Sequence, residues 1–185
     1  MSHKITEDAV EQVVIELLQH QGFEYLPPEN QENERQNLSA VIFRDRLRQA
    51  IDDINPKVPR EAREQALKQV FNLPSQNLID NNEAFHLMLT DGIEVEYMGK
   101  DGIKGDKVYL IDFDQVENNQ FLACNQFTVI ENNVNKRPDV VLFINGLPVA
   151  VIELKNPINE NATVQKAFTQ LQNYKTAVPT LFCYN

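Results

Sequence analysis

The stretch Arg137-Pro-Asp-Val-Val-Leu-Phe-Ile-Asn-Gly-Leu-Pro-Val-Ala-Val-Ile-Glu-Leu-Lys155 predicts a β-hairpin around which the fold is built. Two apolar runs, Val140 to Ile144 and Val149 to Lys155, flank the dipeptide Asn145-Gly146. Asn-Gly between β-branched runs is a strong short-range hairpin signal, because both residues accept a positive φ. Since both runs are almost continuously apolar, we expect central strands that are buried on both faces.

Three charged residues interrupt this apolar hairpin, and all of them lie at its open end. Asp139 precedes the first strand, whereas Glu153 and Lys155 end the second and project from one face because they are two residues apart. Burying these groups costs free energy unless they are paired or bind a metal. Carboxylates are ligands that Mg²⁺ prefers, and a bound cation can activate water and stabilise charge on a phosphate. The pattern favours metal-assisted hydrolysis of a phosphodiester. A structural ion pair between Glu153 and Lys155 is the alternative interpretation.

Length and composition fit one domain, or one domain with an appended subdomain. The chain has 185 residues, of which 42% are hydrophobic and 24% charged. No apolar run approaches the roughly 20 residues of a membrane helix, and no secretory signal is visible. Cys124 and Cys183 lack metal-ligand spacing and are interpreted as buried free thiols, which predicts a cytoplasmic protein. The histidines form no zinc pattern.

The net charge of −10 argues against a protein that grips DNA alone, since phosphate contacts require Lys and Arg. The charge is uneven, because residues 71–135 have a net charge of −8 and residues 136–185 a net charge of +2. We expect other domains or subunits to hold DNA while this chain cuts it. Ordinary fluctuation of charge along a sequence is the alternative.

An amphipathic helix is predicted near the N-terminus, with Thr6 as its N-cap and Gly22 after its last turn. Its apolar positions follow helical spacing and are Val10, Val13, Val14, Leu17 and Leu18. Glu11 lies at the edge of this stripe, from which its carboxyl group could reach a site at the end of neighbouring strands. Glu7, one turn earlier, is the second candidate for such a role.

A set of helices, inserted between the first helix and the sheet, is predicted over residues 39–90. Ser39 is expected to cap a helix that Pro56 ends, and Pro59 to begin another that ends before Pro74. A fourth helix is predicted over Asn82 to Leu89. The polar segment 29–37 before them is predicted to be a loop that follows a short extended piece.

After Gly92 the pattern changes to period two, which predicts three antiparallel strands leading into the hairpin. These strands are expected over Ile93 to Met98, around Val108 to Phe113, and over Phe121 to Ile130, with a turn-rich connection at Gly99 to Gly105. Asp112 and Asp114 could mimic metal ligands. They have no nearby lysine, so we rank them below Asp139 and Glu153.

A further helix is predicted from Thr163 to Ala177, with apolar residues Val164, Ala167, Phe168 and Leu171 facing the core. Gln170 and Tyr174 are four residues apart and therefore lie on one helix face. Leu181 to Tyr184 is predicted to be one more buried strand.

These motifs together resemble the N-terminal nuclease domain of the R (restriction and motor) subunit of type I restriction enzymes. Pro138-Asp139 followed by Glu153-Leu154-Lys155 resembles the PD-(D/E)xK nuclease motif, and Gln170 with Tyr174 resembles an additional motif of RecB-like nucleases. The resemblance also extends to Thr6-Glu7 through Glu11, to Asn125-Gln126-Phe127, to Arg137, and to Asn145-Gly146-Leu147-Pro148.

The resemblance implies an α/β fold of the PD-(D/E)xK restriction-endonuclease type, with a mixed central sheet flanked by helices. The nuclease core would comprise residues 1–38 and 91–185, and residues 39–90 would be a helical insertion. By the same resemblance, Mg²⁺ is held by Asp139, Glu153 and the Leu154 carbonyl, with Glu11 assisting. Lys155 positions the hydrolytic water. The side chains expected to orient Lys155 or the scissile phosphate are Gln170 and Tyr174.

The resemblance also implies double-stranded DNA as substrate, methylation and specificity subunits as partners, and ATP-driven motor domains in a longer polypeptide. The motif G-x-x-x-x-G-K-S/T is absent from these 185 residues, so we expect no ATP hydrolysis by this fragment. Two alternatives remain open. One is a non-catalytic module that docks the motor onto its partners, and the other is a stand-alone RecB-like nuclease in repair.

Overall fold

The computed structural model describes residues 6–156 and 163–185. The helices are α1 (Glu7–His20), α2 (Pro28–Gln31), α3 (Arg44–Ile54), α4 (Arg60–Phe71), α5 (Leu78–Asp91), α6 (Val164–Ala177) and α7 (Pro179–Phe182). The strands are β1 (Glu24–Leu26), β2 (Ile93–Gly99), β3 (Gly102–Val108), β4 (Phe121–Asn125), β5 (Val129–Glu131), β6 (Val134–Lys136), β7 (Val140–Ile144) and β8 (Leu147–Ile152). The predicted mixture of helices and strands is confirmed. None of the described helices is long and apolar enough to cross a membrane.

The central sheet has the strand order β1-β4-β7-β8, with β1 parallel to β4 and the other neighbours antiparallel. The prediction of a mixed central sheet is therefore confirmed, and β7 is a central strand as expected. In contrast, β8 lies at the edge of the sheet within the described residues, so the prediction of two central strands is wrong for it. A run of apolar residues indicates that the two faces of a strand pack against other parts of the protein. It does not indicate whether both edges of the strand pair with neighbouring strands.

The predicted hairpin turn is present, because Asn145 has a φ of 53° and Gly146 a φ of 81°. Ile144 pairs with Leu147, so β8 begins two residues before the predicted Val149. It ends at Ile152, and Glu153 and Lys155 therefore follow the strand instead of lying in it. Strand pairing resumes directly after a two-residue turn. Pro148 is tolerated there because β8 is an edge strand.

Strands β2 and β3 form a separate two-stranded ribbon in which Ile93 pairs with Val108. The prediction that three strands lead into the central hairpin is wrong, and so is the strand predicted beyond Val108. The Asp112 carboxylate accepts hydrogen bonds from the backbone N–H groups of Asp114 and Gln115, which folds that segment into a turn. The strand predicted over Phe121 to Ile130 is divided into β4 and β5.

Helix α1 begins as predicted, because the Thr6 side chain accepts a hydrogen bond of 3.2 Å from the Ala9 backbone N–H. Its buried face differs from the prediction. Ile15 is buried on the sheet beside Ala123 and Val140, whereas Val13 is 54% exposed. Two overlapping apolar stripes satisfy the helical period in this segment, and the period alone does not determine which one meets the sheet.

Helix α6 is confirmed, with Thr163 as its N-cap, but its expected core face is not. Val164 is 88% exposed and Phe168 is also exposed, whereas Tyr174 is buried. The strand predicted over Leu181 to Tyr184 is wrong, because this segment contains α7. A short apolar run does not distinguish a helix from a strand, and Pro179 at the first helical position favours the helix.

Helices α3, α4 and α5 share one hydrophobic core with the central sheet. The Phe43 ring contacts the Phe127 and Phe143 rings at centroid distances of 6.0 Å and 4.8 Å. Helix α4 begins after Pro59 as predicted. Helix α3 begins at Arg44, so Ser39 is not its cap, and α5 begins four residues before the predicted Asn82. The predicted loop 29–37 contains α2 and a short 3₁₀ turn. The division into nuclease core and insertion stays a prediction.

Candidate active site

The open end of the β7–β8 hairpin brings Asp139 beside the residues that follow β8. The last described pair of the ladder joins Val140 to Ile152, which places Asp139 and Glu153 one step beyond it on opposite strands. The Asp139 Oδ2 atom accepts a hydrogen bond of 2.7 Å from the Leu154 backbone N–H. This bond ties the end of one strand to the end of the other, across 15 positions of sequence.

Lys155 joins this hairpin to helix α6. Its Nζ atom donates to Glu153 Oε1 at 2.7 Å and to Gln170 Oε1 at 2.9 Å. The Gln170 Nε2 atom in turn donates to the Tyr174 hydroxyl at 2.7 Å. The structure therefore brings Asp139, Glu153, Lys155, Gln170 and Tyr174 together, although the residues come from two strand ends and one helix.

Glu153 is the most deeply buried charged group of this cluster. Its side chain is 1% exposed, and its Oε2 atom is buried without a hydrogen-bond partner among the described residues. Burial raises the pKa of the Glu153 carboxyl, and the charge of Asp139 raises it further, whereas the Lys155 ammonium lowers it. A hydrogen-bonding interaction with the Tyr174 hydroxyl also lowers the pKa of Glu153. A carboxylate buried this deeply is costly unless both of its oxygens are paired, and a cation at this position would offset that cost.

Tyr174 is neutral in this environment. Burial raises the pKa of its hydroxyl to about 12, with a further contribution from the negative charges of Glu153 and Asp139. The hydroxyl therefore keeps its proton at neutral pH. In this structure it accepts a hydrogen bond from Gln170.

The donor set fits a hard divalent cation, because the convergent groups are carboxylates and a strand-end backbone. Within residues 6–156 and 163–185, no group of three or more His, Cys, Asp or Glu side chains is arranged to hold a metal ion. A cation here would therefore depend on the carboxylates of Asp139 and Glu153 together with other oxygen ligands, such as the predicted Leu154 carbonyl.

Glu11 is anchored at the neighbouring strand end. Its Oε1 atom accepts a hydrogen bond of 2.7 Å from Asn125 Nδ2, and its Oε2 atom accepts one from Gln126 Nε2. The Gln126 backbone N–H donates to the Asp139 carbonyl at 2.8 Å. Glu11 is thus linked to Asp139 through Gln126, and its part in a metal site stays a prediction. Glu7, the second candidate, is exposed.

The sequence predicts no role for Asn125 or Gln126, although both belong to a motif that supports the family resemblance. The Tyr25 hydroxyl donates to Asn125 Oδ1 at 2.9 Å, so three elements meet at this residue. Gln126 has a φ of 50°, which turns its side chain away from strand alternation. No periodicity predicts that conformation. The motif Asn125-Gln126-Phe127 was the available signal.

The rival acids Asp112 and Asp114 lie elsewhere. Asp112 accepts hydrogen bonds from its own turn, including one of 2.7 Å from Asn118 Nδ2. These hydrogen bonds lower the pKa of the Asp112 carboxyl, and the bond from the Gln115 backbone N–H makes the largest contribution. Its acidity is explained by this turn. Cys124 and Cys183 are buried free thiols, as predicted.

Comparison with known proteins identifies the family. The family described as "Type I restriction enzyme R protein N terminus" matches residues 4–185. The chain belongs to this family. It is 37% identical over 98% of its length to the type I restriction enzyme HindI endonuclease subunit of Haemophilus influenzae. It is 35% identical over 98% of its length to a Methanocaldococcus jannaschii protein with a provisional name, type I restriction enzyme MjaIXP endonuclease subunit.

As a member of the R protein N-terminal family, the chain corresponds to one part of larger relatives. It spans 18% of the length of the Haemophilus and Methanocaldococcus proteins. A third relative, the type I restriction enzyme EcoprrI endonuclease subunit of Escherichia coli, is 27% identical over 91% of this chain, which spans 49% of that relative. The recognised resemblance is confirmed at the level of the family.

Proposed function

We propose that this chain is the Mg²⁺-dependent DNA endonuclease domain of a type I restriction enzyme R subunit, with a PD-(D/E)xK fold. The observation that supports the proposal best is the convergence of Asp139, Glu153 and Lys155 at one end of the hairpin. A structural ion pair would account for Glu153 and Lys155. It would not account for a second carboxylate beside them, or for the buried Glu153 Oε2 atom, which has no hydrogen-bond partner among the described residues.

Asp139, Glu153 and the Leu154 carbonyl are the proposed Mg²⁺ ligands, with Glu11 assisting from the adjacent strand end. When bound, the cation lowers the pKa of a water molecule and offsets charge that develops on the phosphate. The hydrogen bond from Leu154 N–H to Asp139 Oδ2 fixes the orientation of that carboxylate. Glu153 would contribute its Oε2 atom, which accepts no hydrogen bond from the described residues.

Lys155 positions the attacking water or stabilises the negative charge that develops on the phosphate. Its ammonium has three N–H bonds, and the hydrogen bonds to Glu153 and Gln170 use two of them. The third N–H bond would then be available to the reacting water or phosphate. Gln170 and Tyr174 keep the ammonium in this place, since Tyr174 orients the Gln170 amide.

Double-stranded DNA is the proposed substrate, and methylation and specificity subunits are the proposed partners. Translocation driven by ATP would belong to the complete R protein and not to these residues. The support for these assignments is the family membership and the names of the relatives.

Titration calorimetry with Mn²⁺ on this chain tests the metal site. The wild type should release or absorb heat on binding, and Asp139→Asn should lose that signal. Asp114→Asn is the matched control, because it removes the same charge from an exposed acid and should bind Mn²⁺ like the wild type. Equal binding by all three proteins would overturn the metal assignment.

Cleavage is tested in the complete R protein assembled with its partners. Asp139→Ala, Glu153→Ala and Lys155→Ala should each abolish DNA cutting and leave ATP-driven translocation intact. Full cutting by any of these variants would overturn the catalytic assignment. Loss of subunit assembly in these variants would instead favour a docking module.

A further inference from the structure

A positively charged cleft lies next to the candidate active site, between the β5–β6 hairpin and helix α6. It has a volume of about 490 Å³. Its cationic lining residues are Lys136 at the end of β6, Arg137 directly after it, and Lys166 in the first turn of α6. Gln170 and Tyr174 also line it, so the cleft opens onto the residues that hold Lys155.

The charge of this cleft contrasts with that of the whole chain. No acidic residue is among its described lining residues, although the chain has a net charge of −10. The charged groups of Lys136, Arg137 and Lys166 form no ion pair with any residue in the described part of the chain. Several arginines elsewhere behave differently, since Arg46 pairs with Glu24 and Glu34. Neighbouring cations that form no ion pair with the described residues repel one another, and an anionic ligand would relieve that repulsion.

The position of the cations indicates which anion they meet. Arg137 is two residues before Asp139, and Lys166 is one helical turn before Gln170. The cleft therefore continues from the proposed scissile position along one side of helix α6. A polyanion that enters the active site would pass over these cations, whereas a single small anion would need only one of them.

We propose that Lys136, Arg137 and Lys166 bind successive backbone phosphates of double-stranded DNA beside the scissile phosphate. This inference rests on the proposed nuclease function and adds the path of the substrate. The remaining polar lining residues include Asn173, whose side-chain amide is a hydrogen-bond donor that suits phosphate oxygens, whereas the Thr169 hydroxyl donates to the Gln165 carbonyl at 2.9 Å. Such contacts carry no sequence information, because the phosphate backbone is the same at every base pair.

The test uses the complete R protein that contains this chain, without ATP, because the chain alone is not expected to hold DNA. The ligand is a fluorescently labelled duplex of about 16 base pairs, roughly 1.5 helical turns. The variant is Lys136→Gln, Arg137→Gln and Lys166→Gln combined. Binding is measured by anisotropy over a salt series from low ionic strength upward. The wild type should bind, and the variant should bind about tenfold or more weakly at low salt. The slope of log K against log salt should be shallower by about 2.7, because three phosphate contacts are lost.

The matched control is Lys57→Gln, Arg60→Gln and Lys68→Gln, which removes the same charge from exposed residues outside the cleft. It should retain the affinity and the salt slope of the wild type. Equal losses in both triple variants, or no binding by the wild type at low salt, would overturn the proposal.

Mn²⁺ calorimetry on the same proteins separates this proposal from the proposed function. The cleft variant should bind Mn²⁺ like the wild type, since none of its changed residues is a proposed ligand. Unchanged DNA affinity with intact Mn²⁺ binding refutes the cleft alone. Absence of Mn²⁺ binding in the wild type refutes the metal site, whatever the DNA result.

Discussion

A side chain at Gly146 should destabilise the fold strongly, because the hairpin turn packs directly against the start of helix α3. The Phe43 backbone N–H donates to the Gly146 carbonyl at 2.9 Å. A Cβ atom on Gly146 would lie 2.5 Å from the Phe43 carbonyl oxygen and 3.1 Å from the Leu47 backbone nitrogen. Both contacts are with backbone, so a rotamer change would not relieve them.

The cost of Gly146→Ala has three contributions. The positive φ of 81° costs about 1–2 kcal/mol for any residue with a Cβ. Separating the turn from α3 strains the packing by about 1–3 kcal/mol. It also loses the Phe43 to Gly146 hydrogen bond, which contributes about 1 kcal/mol. Together these give a loss of about 3–6 kcal/mol in the free energy of unfolding, against a total of about 5–15 kcal/mol for a domain.

Gly22→Ala is the matched control. Gly22 has a φ of 96°, and a Cβ there would meet nothing within 4 Å. This variant should lose only the conformational part, about 1–2 kcal/mol. Urea unfolding followed by circular dichroism measures both variants. Equal losses at Gly146 and Gly22 would refute the reasoning that the turn is pressed against α3.

Two further predictions concern the candidate site. The pKa of the Glu153 carboxyl is raised on folding, so the folded state binds the carboxyl proton more tightly than the unfolded state does. The free energy of unfolding should therefore fall as the pH rises from the ordinary carboxyl pKa, about 4.3, through the raised pKa of the folded state. Glu153→Gln should abolish this fall, and urea midpoints measured with a chelator at several pH values would contradict the reasoning if both proteins changed alike. Tyr174→Phe removes the hydroxyl that accepts from Gln170, which should cost about 1–2 kcal/mol of unfolding free energy and lower DNA cutting by the complete R protein. Unchanged cutting by Tyr174→Phe would show that Lys155 needs no support from α6.

The errors in the predicted elements have a common physical origin. Periodicity identified α1 and α6 as helices, but it selected apolar faces that are partly exposed, such as Val13 and Phe168. The segment after Pro179 is apolar enough for a strand and became a helix. In each case the local pattern is compatible with two structures, and contacts with distant segments select one of them.

Local chemistry by itself determined the β7–β8 hairpin. Asn145 and Gly146 adopt positive φ, so the chain reverses direction at this turn. Strand β8 then runs back along β7, and its end necessarily lies near Asp139. The approach of Asp139 to the end of β8 was therefore predictable from the sequence. The same motifs also predicted the family. Short sequence separation makes such contacts a consequence of turn geometry alone.

Only the tertiary structure decided the surroundings of this hairpin. Glu11 meets Asn125 across 114 positions of sequence, and Lys155 meets Gln170 because α6 lies beside β6 and the segment that follows β8. The cationic cleft likewise exists only where a helix approaches the β5–β6 hairpin. These contacts depend on how whole elements pack, since the free energy that selects one packing is spread over the core and is not encoded in any single motif.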